Sequence, residues 1–216
     1  LLKNDSLLLR WDHPCLSDKL RKQLLRTVRQ KAIHSAICTA RPSFAPKDAP
    51  IDPSPYFPEA ELGRDLINLT ELPMIGWGGM QSLGVFVHQN ASQFLKPQPV
   101  QTLAAIAMAF GLPEWDALTW AYQLWSRREG KGNHDLKGEL NFEFRLPGEM
   151  EVVIFEDMEN GLLAGKKAQS ILEEQGYKID LLRLWGITNN EEKAKVLRSY
   201  GANVVDSINN ALAYEL

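Results

Sequence analysis

Val152-Val153-Ile154-Phe155-Glu156-Asp157-Met158-Glu159-Asn160-Gly161 is the stretch from which the fold of this 216-residue chain is read. A β-branched and aromatic run ends in two adjacent carboxylates. A helix with Leu163, Ala164, Ala168, Ile171 and Leu172 on its apolar side follows, and Gly176 comes after it. An apolar run that stops at charge and resumes with helical spacing predicts a buried strand feeding a helix. Open α/β sheets place their chemistry at the carboxyl ends of such strands. Two carboxylates there are costly to desolvate, and a hard divalent cation would offset that cost. The plainer alternative is that Glu156 and Asp157 only complement the dipole of the following helix.

Working outward, the pattern repeats. Ile179 to Ile187 predicts a strand, Glu191 to Tyr200 a helix stopped by Gly201, and Asn203 to Val205 a last strand, with Ser207 capping a terminal helix. This strand–helix alternation is that of a parallel α/β sheet. Upstream, Ser17 caps a helix with Leu20, Leu24, Leu25 and Val28 at helical spacing. Ile33 to Cys38 reads as a strand, ending at Thr39-Ala40-Arg41-Pro42. Six prolines at 42, 46, 50, 53, 55 and 58 make the next segment a loop, and Glu59 to Thr70 suggests a short helix. Met74-Ile75-Gly76-Trp77-Gly78-Gly79 suggests a strand with a close backbone approach, and Val85 to His88 another short strand. Lys96-Pro97-Gln98-Pro99 introduces a helix with Leu103, Ile106, Ala107 and Phe110 on its apolar face and Gly111 at its end. A second helix starts at Pro113, carries Trp115, Leu118, Ala121, Tyr122 and Trp125, and ends at Gly130. That aromatic stripe reads as core packing. Leu140, Phe142, Phe144 and Leu146 alternate like a half-exposed strand.

Composition narrows the class. Hydrophobic content of 44% and charged content of 24% are those of a globular domain. A net charge of −3 carries no electrostatic footprint for nucleic acid, and no apolar run reaches the ~18 residues of a spanning helix. Cys15 and Cys38 form no disulfide framework and show no metal spacing, which points to a reducing, cytoplasmic compartment. His13, His34, His88 and His134 likewise show no metal spacing. The chain opens Leu1-Leu2-Lys3-Asn4-Asp5, with no initiator Met and no signal-peptide pattern, and reads as though it starts within a longer protein.

Three features share one chemical character. Thr39 ends a strand, Lys96 precedes a helix, and Glu156 with Asp157 end another strand. A hydroxyl can donate to a phosphoryl oxygen, an ammonium can offset developing negative charge, and carboxylates can hold Mg²⁺. Each has a bland counterpart: a turn threonine, a solvated lysine, a helix-capping acidic pair.

In order and context these segments resemble the haloacid dehalogenase-like (HAD) hydrolase superfamily. Ile37-Cys38-Thr39-Ala40-Arg41-Pro42 is similar to its second motif, Leu95-Lys96-Pro97-Gln98-Pro99 to its third, and Glu156-Asp157-Met158-Glu159-Asn160-Gly161 to its fourth. Gly201-Ala202-Asn203-Val204-Val205 resembles the family's final strand. The resemblance covers most of residues 16–42, 94–111 and 151–212. It implies a Rossmann-like parallel sheet with helices on both faces. Residues 1–42 and 94–216 would form that core, with 112–150 an insertion and 43–93 an irregular Pro/Gly-rich cap or lid.

The family's first motif, Asp-x-Asp-x-Thr, occurs nowhere in the chain, while Leu1-Leu2-Lys3-Asn4-Asp5 resembles its continuation. The resemblance therefore places the nucleophilic and acid/base aspartates upstream of Leu1, on a central strand between those carrying Thr39 and Asp157. Losing such a strand would leave two rows of unpaired backbone groups at about 1–3 kcal/mol each. That exceeds what a total stability of about 5–15 kcal/mol can absorb. With that motif in place, the resemblance implies Mg²⁺-dependent hydrolysis of a small phosphorylated metabolite through an aspartyl-phosphate. Thr39 would orient the phosphoryl group and Lys96 would bridge nucleophile and phosphate. Asp157 would bind Mg²⁺ directly or through water, with Glu156 completing or orienting that shell. Asp157 is favoured as the direct ligand because successive residues of a strand face opposite ways. Arg41 is placed to reach a substrate phosphate or carboxylate, or equally to form a structural salt bridge. A non-catalytic binding or regulatory member of the same fold is the alternative, and an unrelated α/β domain a third. Substrate identity and oligomeric state are not encoded in these motifs. One geometric condition separates the third reading: Thr39, Lys96 and Asp157 must converge.

Overall fold

The computed structural model describes residues 12–50, 57–130 and 144–216. The amino-terminal helix α1 (Asp18–Arg29) starts at Ser17, whose hydroxyl accepts from Leu20 N, and ends in Arg26 and Arg29, which complement the dipole. Strand β1 (Ile37–Cys38) pairs in parallel with β2 (Met74–Ile75), and helix α2 (Glu59–Leu66) lies between them in sequence. Helix α3 (Trp77–Phe86) and a single 3₁₀ turn (Ala91–Phe94) lead to α4 (Val100–Ala109) and α5 (Glu114–Arg128). The carboxyl-terminal part alternates: β3 (Glu149–Glu156), α6 (Glu159–Glu174), β4 (Lys178–Ile187), α7 (Glu191–Ser199), β5 (Asn203–Val205) and α8 (Ile208–Glu215). These three strands form a parallel sheet in the order β3-β4-β5. The fold is thus mixed α/β, with two small parallel sheets.

The helix boundaries follow the stops read from sequence. Gly111, Gly130, Gly176 and Gly201 all adopt positive φ directly after α4, α5, α6 and α7. Several segments differ from the sequence reading, beginning with the strand expected over Ile33 to Cys38, which is only Ile37–Cys38. Only Met74 and Ile75 of the apolar Gly-rich run are strand, and Trp77, Gly78 and Gly79 already belong to α3. Val85 and Phe86 are the last turn of that helix rather than a strand, and His88 turns out of it at a φ of +53°. The reason is packing. Helix α3 is apolar on nearly all sides and buries Gly78, Gly79, Met80, Ser82, Leu83 and Gly84, so no amphipathic period marks it. Its glycines serve close approach, because a Cβ on Gly78 would overlap the Phe44 carbonyl. The expected strand across Leu140–Leu146 falls mostly outside the described residues, and Phe144 to Leu146 are irregular.

One core joins the two sheets on one face. Phe94, Leu103, Ala107, Leu118 and Trp125 pack with Met150, Ala168, Ile171 and Leu172, and Cys38, Val152 and Leu182 border the same cluster. Helix α4 therefore leans on the β1–β2 sheet while touching α6, which covers β3 and β4. Leu103, Leu118, Ile171 and Leu172 are wholly buried, each stabilising by about 1.5–3 kcal/mol. The aromatic stripe of α5 is core, as expected, with Phe94 edge-on to both Tyr122 and Trp125. On the other side of β1, Ile37 packs with Leu24, Leu25, Leu69 and Leu72. Asn209, in α8, accepts from Ser17 N at 2.8 Å and donates to Cys15 O at 2.7 Å, tying the two ends of the described chain together.

Candidate functional site

Strand β3 delivers Glu156 to its carboxyl end, and α6 turns back over it. Glycines at 161 and 165, one helical turn apart, face Glu156 and Ile154, two strand positions apart. A Cβ on Gly161 would overlap the Glu156 carboxyl group, and one on Gly165 would overlap Ile154 Cδ1. These glycines let the helix seat on the strand and bring the Glu156 carboxylate against the first turn of α6, where the helix dipole favours it.

Lys96 reaches the same point from the loop before α4. Its ammonium forms an ion pair with Glu156 and approaches Cys38 O at 3.5 Å. One cation thus spans from the end of β1 to the end of β3. Both partners are largely buried, the side chains being 15% and 14% exposed. Burial opposes the Lys96 charge, but Cys38, Glu156 and Asp157 outweigh it and hold the ammonium above the ordinary lysine range. Burial pushes the Glu156 carboxyl up, against the pull of Lys96. The Cys38 thiol, enclosed beside this pair, is pushed by burial up to about 11. It is therefore an un-ionised, inert thiol at neutral pH.

Thr39 follows Cys38 directly. Its N–H donates to Ile75 O at 3.0 Å, the last bond of the β1–β2 ladder, and its carbonyl accepts from Gln101 Nε2 at 2.6 Å. The Thr39 hydroxyl oxygen accepts from Arg41 N at 3.2 Å, which leaves its proton free to donate to a ligand. Asp157 is exposed and pairs with Lys193 of α7 at 3.2 Å. Arg41 forms an ion pair with Glu59 of α2, so the structure shows it in the salt-bridge role that sequence left open.

Lys96 thus joins the carboxyl ends of β1 and β3 through Cys38 O and Glu156. Thr39 is the residue after Cys38, while Asp157, the residue after Glu156, turns to Lys193 and reaches Lys96 only as a more distant charge. Two further side chains belong to this place. Gln101 is fully buried, and it and Thr102 are the polar members of the otherwise apolar helix Val100-Gln101-Thr102-Leu103-Ala104-Ala105-Ile106-Ala107-Met108-Ala109. A lone amide on an apolar helix was the available signal for it. Lys193 sits beside Glu191 and Glu192 in the first turn of α7, which reads in sequence as a solvated face and gave no signal.

Of the two carboxylates at the end of β3, Asp157 is the more accessible to a cation. Asp157 is exposed, gives only one oxygen to Lys193, and can offer the other to a cation that keeps most of its water. Glu156 is committed to Lys96 and is the poorer ligand. Among the described residues no three His, Cys, Asp or Glu side chains cluster as a metal cage.

Fold and site together define an α/β domain with acidic and basic side chains gathered at the carboxyl ends of parallel strands. No protein-family model matches the chain, and no curated protein or solved structure is significantly similar to it. Among the described residues no helix is long and apolar enough to cross a membrane.

Proposed function

We propose that this chain carries the threonine, lysine and acidic parts of a HAD-like, Mg²⁺-dependent phosphohydrolase acting on a small phosphorylated metabolite. The observation that carries the proposal is the position of Lys96, anchored between Glu156 and the carbonyl of Cys38, the residue before Thr39. An ammonium fixed there faces the place where a phosphoryl group would lie and stabilises its charge. The Thr39 hydroxyl donates to a phosphoryl oxygen and orients it. Asp157 would hold Mg²⁺, which would supply neutralisation of phosphoryl charge. Glu156 keeps Lys96 protonated and aimed. Arg41, at the mouth, exchanges Glu59 for a substrate anion.

This reading requires a nucleophilic aspartate that the 216 residues do not supply, since Asp-x-Asp occurs nowhere in them. Strands β1 and β3 each pair on one side only among the described residues, with β2 and β4 respectively. A further strand between them, bringing the Asp-x-Asp motif, would unite the two sheets into one Rossmann-like sheet and set its first aspartate opposite Lys96. That aspartate forms the aspartyl-phosphate, and the second protonates the leaving oxygen and then activates water.

A second reading, a non-catalytic HAD-like binding protein, is favoured by one observation. Both carboxylates already carry lysine partners, Lys96 on Glu156 and Lys193 on Asp157. Hydrolysis of a generic aryl phosphate by the full-length protein, with and without Mg²⁺, separates the two. The phosphohydrolase reading expects turnover that EDTA abolishes. No turnover, with no Asp-x-Asp preceding Leu1, would leave the binding reading standing.

A further inference from the structure

The geometry assigns Gln101 as the positioning residue for Thr39. Strand β1 is only two residues long, so its ladder ends at the Thr39 N–H and supplies no partner for the Thr39 carbonyl. That carbonyl must be satisfied from elsewhere, because a half-buried acceptor left unpaired is costly. Gln101 meets the need from the first turn of α4, donating Nε2 to Thr39 O at 2.6 Å. The amide orientation is settled by chemistry, since turning it over would set two oxygens against each other. Gln101 itself is fully buried, on a helix packed into the main core, so it cannot follow the loop if the loop moves. The peptide N–H and C=O of Thr39 are thereby both fixed, one by β2 and one by α4.

The consequence reaches the hydroxyl. With the Thr39 carbonyl pinned, the 39–41 turn closes so that Arg41 N donates to Thr39 Oγ1 at 3.2 Å. That bond occupies the oxygen and directs the hydroxyl proton away from the backbone. Lys96 performs the matching task one residue earlier, on Cys38 O. One segment, Lys96 to Gln101, therefore fixes successive carbonyls at the open end of β1 with two side chains. Gln101 does not touch a reacting group and acts through Thr39. The positioning itself is independent of what the site catalyses. Its effect on turnover rests on the phosphohydrolase reading.

Two measurements on the full-length protein test this. The first is amide hydrogen exchange. In the wild type one Gln101 Nε2 proton and the Arg41 amide are expected to be protected, and in Gln101→Met, an isosteric change, the Arg41 amide is expected to lose at least tenfold protection. Free exchange of both Gln101 side-chain protons in the wild type overturns the assignment, and needs no variant to fold. Unchanged Arg41 protection in a folded Gln101→Met protein does so as well. The second is the aryl-phosphate turnover of Gln101→Met, Thr39→Val and the double variant. Gln101→Met is expected to lower kcat about tenfold. The double variant is expected to be no slower than Thr39→Val, because the amide works through that hydroxyl. Losses that multiply would show a separate, merely structural role. A wild type without turnover would fail the phosphohydrolase reading, while the exchange result would still decide for or against Gln101.

Discussion

Replacing either member of the Lys96–Glu156 pair should destabilise the protein far more than replacing both. Each side chain is about one-seventh exposed, so neither charge is well hydrated once its partner is gone. Breaking a buried pair from one side costs about 3–5 kcal/mol, and this residual exposure favours the lower end, about 3 kcal/mol. In Glu156→Met the Lys96 ammonium keeps the Cys38 carbonyl at 3.5 Å and the more distant charge of Asp157. In Lys96→Met the Glu156 carboxylate keeps the first turn of α6, which returns roughly 0.3–1 kcal/mol. The Lys96→Met/Glu156→Met protein buries neither a charge nor an unpaired amide there and should lie within about 1 kcal/mol of the wild type. Urea unfolding at pH 7 with a constant m-value measures all three. A loss of about 3 kcal/mol leaves a protein of ordinary stability folded, so the singles remain measurable. The effect should persist at high salt, unlike that of the exposed Arg29–Glu71 pair. Single variants within about 0.5 kcal/mol of the wild type, or a double variant whose cost is the sum of the singles, would refute the burial argument.

Gly161→Ala should destabilise the wild type, because the new Cβ displaces the Glu156 carboxyl from Lys96. In a Lys96→Met/Glu156→Ala background the same change should stabilise by about 0.5–1 kcal/mol, the usual gain of alanine over glycine within a helix, as thermal unfolding would show. Glu114 offers a pH test. Burial, then Asp48 and Glu61, raise its folded pKa to about 8 against an unfolded value near 4.5. Between those values the folded state holds the extra proton, so stability from this group is complete below 4.5 and falls as pH rises towards 8. Glu114→Gln should therefore be near neutral at pH ~5 and stabilising at pH ~8 in denaturant titrations. Equal effects at both would show Glu114 ionised throughout. Glu215→Gln should loosen α8 by about 1–3 kcal/mol, since that carboxylate pairs with Arg183 and accepts from Trp185 Nε1 at 2.6 Å. Near-UV circular dichroism of Trp185 and urea titration read it directly.

The carboxyl-terminal alternation was legible because each element carried its own signal. β3 and β4 are apolar runs closed by charge or turn residues, the helices have one apolar side, and Gly176 and Gly201 mark their ends. Met74 and Ile75 are strand as expected, but the helix from Trp77 to Phe86 was hidden because α3 has no polar face, and an all-buried helix has no period to detect. The division into two sheets was equally hidden, since strand pairing depends on partners far away in sequence. The placement of Thr39, Lys96, Glu156 and Asp157 at or near the ends of elements was legible in the sequence. The pairing of Lys96 with Glu156 was not, because a separation of 60 positions along the chain says nothing of proximity. Gln101 was visible as a polar residue on an apolar helix, but its target, the Thr39 carbonyl, is a backbone group that no side-chain motif records. Lys193 lies in a charged turn where every neighbour looks equally solvated.

Mg²⁺-dependent hydrolysis of an aryl phosphate by full-length Asp157→Asn protein is the most direct test. The exposed Asp157 should fold as well as Asn there, because its pair with Lys193 is a surface one worth at most about 1 kcal/mol. Loss of turnover would therefore report the metal and not the fold. The proposed site expects activity to fall by orders of magnitude with an unchanged unfolding midpoint. Near-normal turnover would remove Asp157 from the metal site and contradict the assignment of the β3 terminus as its acidic half.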